Sequence, residues 1–200
     1  MQTITRTSSS KYAVFPSLDE IAGFENFYDI DSSTGKITMR QGTDRVFVFS
    51  SKGWAVLLRR IRSSFGSGAD VIFFEMGQHY GASVALGLKN EGANYEQSIR
   101  RLIKRATLSG WGKVSVSGNL PSGKNLSLRL DNCVFCDGRK SSKPSCHFFR
   151  GILSGIAQTL YGRSFKVVEE QCFASGNQCC TFVLEDDPYS VYRIEPVIDI

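Results

Sequence analysis

The sequence predicts an α+β domain in which an antiparallel sheet is packed against several helices. Two observations lead to this class. Apolar residues recur with a helical period over residues 50–107, and the period changes to the value of two that is typical of strands from residue 111 onward. A further helical segment then separates two hairpins, so the order is helices, hairpin, helix, hairpin.

Composition limits the class of protein further. The 200 residues include 42% hydrophobic side chains, enough to fill a core without disulfide bonds. No apolar run is long enough to span a membrane, and the N-terminus lacks the apolar stretch of a secretory signal. We therefore expect a cytoplasmic protein with reduced cysteines, a setting in which clustered cysteines bind metal more often than they pair. Residues 1–12 are expected to be disordered and residues 13–200 to form a single domain.

The net charge of +5 is concentrated in two basic blocks, residues 57–62 and 98–105. Both blocks alternate with apolar residues at helical spacing, so we interpret them as the solvated faces of helices. The sequence has no helix-turn-helix, zinc-finger or RNP pattern, and nucleic acid is not an expected partner.

The first half of the chain is predicted to be mainly helical. Residues 13–50 form a lead-in with short strands, including a turn at 31–35 and an alternating strand, RVFVF, at 45–49. A helix capped by Ser50–Ser51 ends at Gly66. The next two helices cover about 69–88 and 95–107. The second helix carries Gly77, Gly81 and Ala85 at four-residue spacing, which predicts close approach of another backbone.

The second half is predicted to contain two hairpins around one helix. The first hairpin covers residues 111–131 and turns at a Pro-Gly pair, and a loop follows it. A helix then runs from Cys146 to a C-terminal Gly162. The strand at 165–172 leads through a tight turn to a returning strand at 179–186. The apolar tail at 188–200 is expected to add a strand or to dock at an interface.

The crowded segment EEQCFASGNQCC, residues 169–180, predicts a metal site. Strand alternation turns Glu169 and Cys180 inward and Cys179 outward. A buried carboxylate is costly unless it is paired or bound to metal, and a cysteine at a helix start favours the thiolate. Zinc needs four such donors. The candidates are Cys133, Cys136, Cys146, His147, Glu169, Glu170, Cys172, Cys179 and Cys180, and the predicted zinc ligands are Cys146, Glu169, Cys172 and Cys180.

Other interpretations of these cysteines stay open. The same residues could form a metal-free cluster of buried thiols, a disulfide, or a site for another metal. The C-x-x-C pair, Cys133 and Cys136, could be a redox pair, half of a second metal site, two loop cysteines, or the donors that replace Glu169.

The segment from Cys146 onward resembles the 4-vinyl-reductase domain. Its pattern is a Gly- and Leu-rich helix opened by Cys, a strand ending in E-x-x-C, and A-x-G-[DN]-x-x-C-x-F. The stretch Gly66–Ala85, with Tyr80, resembles the preceding region of the same proteins. The motif region covers residues 123–186. The matching residues are Cys146, Gly151, Leu153, Gly155, Glu169, Cys172, Ala174, Gly176, Asn177, Cys180 and Phe182.

This resemblance implies a fold shared with heme nitric-oxide-binding domains and with vesicle-transport (TRAPP-like) subunits. The domain occurs in bacterial sensors of aromatic effectors, in a protein linked to 8-vinyl reduction of bacteriochlorophyll precursors, and in stand-alone archaeal proteins. The sensors hold zinc with three Cys and one Glu, whose positions correspond to the four ligands predicted here, and dimerisation is typical. Asn177 stands where Asp is usual, and both residues suit a tight turn.

Three functions remain in competition at the level of sequence. The favoured one is a homodimeric, zinc-stabilised sensor of a small hydrophobic or aromatic molecule that acts through a protein partner. The others are an enzyme or carrier in tetrapyrrole metabolism, and a scaffold subunit without a ligand. No nucleophile–base pair, dinucleotide motif or P-loop favours the enzyme. The expected pocket, between helices and sheet, is lined by Trp54, Phe73, Phe74, His79, Tyr80, Trp111 and Phe149.

Overall fold

A computed structural model describes residues 27–40, 45–90 and 92–189. The expectation of disorder for residues 1–12, and nearly all of the expected C-terminal strand or docking segment, lie outside these ranges. The α+β class predicted from the sequence is confirmed, with four helices and antiparallel sheets in the described part of the chain.

The helices begin and end close to the predicted positions. Ser50 caps α1 by accepting a hydrogen bond from the backbone N–H of Gly53, and Asn94 and Gln97 form a capping box at the start of α3. Gly162 ends α4 in the left-handed conformation, at φ 68°. The bounds are α1 Ser51–Phe65, α2 Gly68–Asn90, α3 Tyr95–Leu108 and α4 His147–Tyr161.

The main sheet has four antiparallel strands in the order β4-β5-β7-β6. Leu130 of β5 pairs with Cys180 of β7, so the end of β5 lies beside the start of β7. Three short strands form a separate sheet in the order β1-β2-β3. The bounds are β1 Tyr28–Asp31, β2 Lys36–Met39, β3 Arg45–Val46, β4 Lys113–Asn119, β5 Lys124–Asp131, β6 Phe165–Gln171 and β7 Cys180–Asp186.

The strand predicted at 45–49 is wrong over most of its length. Only Arg45 and Val46 pair with β2, and Phe47, Val48 and Phe49 are 83%, 82% and 54% exposed. Alternation of apolar residues describes a side-chain pattern, but a strand also needs a neighbour for its backbone. These three residues have no strand partner among the described residues.

Helices α2 and α4 cross with their backbones in contact. A Cβ added to Gly77 or Gly81 would lie 2.0 or 2.2 Å from a carbonyl oxygen of α4, and one added to Gly151 or Gly155 would lie 2.0 Å from a carbonyl oxygen of α2. Four glycines, two from each helix, therefore make this approach possible. The small-residue stripe predicted on α2 is confirmed as a packing surface.

The core lies between the inner face of the four-stranded sheet and helices α2, α3 and α4. Helix α4 is the central element, because its N-terminus meets the ends of β5 and β7 and its length covers the sheet. Helix α1 contributes little to the core, with Leu57 41% and Phe65 61% exposed. None of the helices within the described residues has the length and apolarity that a membrane crossing requires.

Candidate metal centre and ligand cavity

The four predicted metal ligands lie together at one end of the sheet. Cys146 directly precedes α4, Glu169 points inward from β6, Cys172 follows β6, and Cys180 begins β7. Strands β6 and β7 are antiparallel neighbours, so the turn between them returns the chain to the same end. The donor atoms of these four residues all lie within 4.8 Å of one another.

Cys133 and Cys136 join this group, which the sequence left open. The thiol of Cys136 lies 3.1 Å from that of Cys146, 3.6 Å from that of Cys180 and 3.7 Å from that of Cys172. Cys133 lies 3.8 Å from Cys146. We call the six side chains together the six-donor cluster: Cys133, Cys136, Cys146, Glu169, Cys172 and Cys180.

The cluster is buried and contains no disulfide. All six cysteines of the chain are free, and the measured sulfur separations are well above the roughly 2.05 Å of a disulfide bond. Edges of a tetrahedron of sulfur atoms around zinc are about 3.8 Å long, as follows from a Zn–S distance of about 2.3 Å. The separations Cys146–Cys180 at 3.8 Å and Cys146–Cys172 at 3.9 Å agree with that value.

Glu169 fits a metal ligand better than a structural carboxylate. Its Oε2 accepts a hydrogen bond of 2.9 Å from the backbone N–H of Cys146, whereas its Oε1 is buried without a partner. Burial raises the pKa of this carboxyl group to about 8. A buried, unpartnered carboxylate oxygen among thiols is costly unless a cation lies next to it. Thiolates and a carboxylate are donors that zinc accepts, so the donor set fits that ion.

Outer contacts would orient the ligands. The guanidinium of Arg139 donates to the hydroxyl of Ser145, which lies 4.0 Å from the Cys172 sulfur. The backbone N–H of Phe173 donates to the Cys180 sulfur over 3.3 Å. Such donors stabilise a thiolate and offset the negative charge of a thiolate-rich site.

The expected outward position of Cys179 is wrong. This residue is 2% exposed, although it lies outside the six-donor cluster, and its sulfur is 3.9 Å from Oε1 of Gln171. Strand alternation does not apply to it, because β7 begins at Cys180 and Cys179 still belongs to the turn. The inward position predicted for Glu169 and Cys180 is confirmed, at 7% and 0% exposure.

A second feature, a cavity of about 540 Å³, lies between the sheet and helices α2, α3 and α4. Its walls are the inner faces of β4, β5 and β7 and the facing sides of the three helices. This volume falls within the range of about 300–1,000 Å³ that is usual for small-molecule sites. The expected location of a pocket, between helices and sheet, agrees with this cavity.

The residues predicted to line the pocket divide into two groups. Tyr80, Trp111 and Phe149 do line the cavity. Trp54 and Phe73 pack instead on the other side of α2 with α1, and Phe74 and His79 are not among the lining residues. A helical period shows that a face is apolar, but not which of two neighbouring apolar regions that face meets. The aliphatic walls, including Val116, Leu126 and Ile156, were missed because nothing in the sequence separates lining residues from core residues.

The cavity is apolar with a few polar groups. Ser83, Ser109 and Ser127 contribute hydroxyls, and Arg45 and Arg105 contribute positive charge. Arg105 also contacts the sulfur of Met39 at 3.1 Å. The described lining residues include no Asp or Glu. This lining can hold an apolar molecule that is neutral or negatively charged, because a cation would meet two arginines and no acidic side chain.

Comparison with known proteins assigns the C-terminal half of the described chain to a family. Residues 126–186 match the family model of the vinyl-4-reductase domain. This segment contains most of β5 and all of α4, β6 and β7, and with them all six members of the six-donor cluster. The chain contains a domain of this family, and the resemblance to the 4-vinyl-reductase domain is confirmed.

Related sequences and structures extend this result. An uncharacterized protein of Methanocaldococcus jannaschii is 33% identical over 64 residues, which are 32% of this chain. The matched stretch spans only 35% of that relative's length. The phenol-responsive sensory domain of the transcription activator PoxR, solved with phenol, has a TM-score of 0.70 at 18% identity, and the match covers 82% of this chain and 86% of that one. A trafficking protein particle complex subunit 3 from Naegleria fowleri, covalently bound to palmitic acid, has a TM-score of 0.53 at 11% identity over 70% and 93% of the two chains. At these identities the two structures show a shared fold.

Proposed function

We propose that this chain is a sensory domain that binds a small hydrophobic or aromatic molecule in the cavity and that zinc stabilises its fold. The observation that carries the proposal is the apolar cavity of about 540 Å³ within a chain of the vinyl-4-reductase family. A packed domain leaves few voids larger than a water molecule, so a cavity of this size is a cost to stability unless a ligand fills it.

The lining favours a ligand with an aromatic or aliphatic body and at most one acidic or hydrogen-bonding group. Tyr80 and Trp111 lie 6.0 Å apart between ring centroids and offer aromatic faces, while the serine hydroxyls offer donors and acceptors. The phenol-bound structure of the PoxR sensory domain supports this class by its similar fold. The volume admits molecules larger than a single ring.

Zinc enters the proposal as a structural ion. Cys146, Glu169, Cys172 and Cys180 would hold it, and it would join the start of α4 to the β6–β7 hairpin. Such an ion contributes directly to folding free energy, because the unfolded chain has no preformed site. It would fix one end of the helix whose other half lines the cavity.

The two tryptophans of the chain provide a direct test of ligand binding. Trp111 lines the cavity and Trp54 does not. Titration with a bromophenol, whose heavy atom quenches indole fluorescence on contact, should quench the Trp54→Phe variant saturably, because Trp111 is then the reporter. The Trp111→Phe variant should bind with little quenching. Equal quenching of both variants, or quenching that never saturates, would contradict binding in the cavity.

Native mass spectrometry of the purified chain separates the competing functions. A co-purifying aromatic or lipid-like molecule supports the sensory proposal. A bound tetrapyrrole, followed by NADPH oxidation with a vinyl tetrapyrrole, would replace it by the tetrapyrrole enzyme or carrier. A chain without ligand and without saturable quenching would favour the scaffold subunit.

The proposal also includes a compartment and partners. Six free cysteines, all buried, fit a reducing cytoplasm. We further propose a homodimer that passes its signal to a regulatory protein by contact, as the family resemblance implies. Light scattering coupled to size exclusion measures the first point, and a monomer at micromolar concentration would contradict it.

A further inference from the structure

The six-donor cluster holds more ligands than one ion can use. A tetrahedral zinc ion takes four donors, whereas five thiols and one carboxylate converge here, none more than 7% exposed. An ion bound by Cys146, Glu169, Cys172 and Cys180 leaves two buried thiols in contact with the centre. An ion bound by Cys136, Cys146, Cys172 and Cys180 leaves the carboxylate of Glu169 buried with its Oε1 unpartnered.

The donors divide into two overlapping sets of four. One set is Cys146, Glu169, Cys172 and Cys180, and the other is Cys133, Cys136, Cys146 and Cys180. In each set all donor atoms lie within 4.8 Å of one another, and Cys146 and Cys180 belong to both sets. Two tetrahedral ions that share two bridging thiolates need six donors, because two of the donors each fill a coordination position on both ions. The cluster supplies that number.

We propose that this chain binds two zinc ions in a binuclear centre, with the thiolates of Cys146 and Cys180 bridging them. Glu169 and Cys172 complete the coordination of the first ion. Cys133 and Cys136 complete that of the second. The inference goes beyond the single zinc ion of the proposed function, and it rests on Cys146 and Cys180 as ligands of that first ion.

The position of the C-x-x-C pair follows from the sheet. Strand β5 ends at Asp131, and the pairing of Leu130 with Cys180 places the next residues beside the start of β7. A short 3₁₀ turn at Val134–Cys136 then folds the two cysteines onto the cluster, with the N–H of Cys136 donating to the carbonyl of Cys133. Two cysteines separated by two residues are a frequent half of a zinc site.

The charge of the centre favours two ions. Five thiolates and one carboxylate carry six negative charges, which two divalent ions reduce to two. This residual charge equals that of one zinc ion with three thiolates and a carboxylate. The second ion therefore allows Cys133 and Cys136 to bind as thiolates at no increase in buried charge. Soft thiolates select zinc over magnesium or calcium at such a site.

Zinc stoichiometry of the full-length chain, purified without oxygen and dialysed against a weak chelator, tests the proposal. Elemental analysis and native mass spectrometry should give two zinc ions per wild-type chain. The Cys133→Ser/Cys136→Ser double variant should keep one, because the first set of four donors is intact. The Cys179→Ser variant is the matched control, a buried cysteine outside the cluster, and should keep two.

Cadmium-113 NMR of the wild-type chain gives a second readout that does not depend on the folding of a variant. Two resonances are expected, one from a four-sulfur site and one shifted by the oxygen of Glu169. Coupling between them through the shared sulfur atoms would identify the bridges. A single resonance, or two uncoupled ones, would overturn the binuclear centre.

The outcomes separate this inference from the proposed function. One zinc ion per wild-type chain overturns the binuclear centre and leaves the single structural zinc and the ligand cavity standing. No zinc in folded protein overturns both metal assignments, while quenching of Trp111 still tests the ligand proposal on its own.

Discussion

The two ends of α4 lie in contrasting surroundings. At its N-terminus, Cys146 is in contact with several other donors, and α2 lies against the helix so closely that glycine is required on both. Toward its C-terminal half, Ile156 and Leu160 face a cavity of about 540 Å³. The comparison indicates that one helix joins a rigid anchor to an open ligand site. Rigid packing at one end allows the other to remain underpacked without loss of the fold.

The largest expected effect comes from the anchor. The Cys172→Ser change should release zinc and lower the free energy of unfolding by more than about 4 kcal/mol, because metal binding is part of folding. Cys179→Ser should cost about 1 kcal/mol, since its sulfur contacts Gln171 rather than the cluster. Chemical denaturation with parallel zinc analysis measures both. Equal losses in the two variants would show that the cluster holds no structural ion.

The helix contact should give the next largest effect. Gly81→Ala places a methyl group 2.2 Å from the carbonyl oxygen of Ile152, so the helices must separate, at a cost of about 3 kcal/mol. Gly87→Ala in the same helix meets nothing within 4 Å and should stabilise the protein by up to about 1 kcal/mol through helix propensity. Thermal unfolding of the pair compares them directly. If both changes were tolerated, the close approach of α2 and α4 would be wrong.

A matched pair of valines compares the anchor side with the cavity side. Val167 is 2% exposed and does not line the cavity, whereas Val116 is 8% exposed and does. Truncation of Val167 to Ala should cost about 2 kcal/mol, and the same change at Val116 about 1 kcal/mol, because Val116 already lacks neighbours on one side. Adding ligand should widen the difference between wild type and Val116→Ala. A reversed order of costs would place the loosely packed region elsewhere.

The smallest effect is expected at the outer wall of the cavity. Asn94→Ala removes the capping box of α3 and should cost about 1 kcal/mol. Glu96→Gln, two residues along, breaks an exposed pair with Arg100 and should cost only a few tenths of a kcal/mol. Because α3 lines the cavity, the first change should also weaken ligand affinity, and fluorescence titration measures this. Unchanged affinity in Asn94→Ala would show that α3 does not close over the ligand.

Much of the fold was predictable because local signals agreed with one another. Ser50 and Asn94 mark helix starts, Gly66 and Gly162 mark helix ends, and the change of period at residue 111 marks the sheet. The face of β6 that carries Glu169 was also readable, since a period of two assigns every second residue to the core. The alternating segment at 45–49 failed because pattern alone does not supply a neighbouring strand.

The candidate site was predictable where its ligands lie on regular strands. Cys133 and Cys136 could not be placed, because their position depends on the pairing of β5 with β7, a contact between strands far apart in the sequence. That pairing was the missing signal, since a C-x-x-C at the end of a strand next to Cys180 has one place to fold. The cavity could not be predicted either, because packing density is a property of the assembled core.

Hydrogen exchange with and without a bromophenol tests the central claim, a rigid anchor joined to an adaptable ligand site, most directly. In the zinc-loaded chain without ligand, amides of α4 near its start and of β6 and β7 should exchange slowly, and those of α3 should exchange faster. Saturating ligand should slow exchange in α3 and leave the anchor unchanged. Protection that appears at the anchor, or no protection anywhere at saturation of Trp111 quenching, would contradict the account.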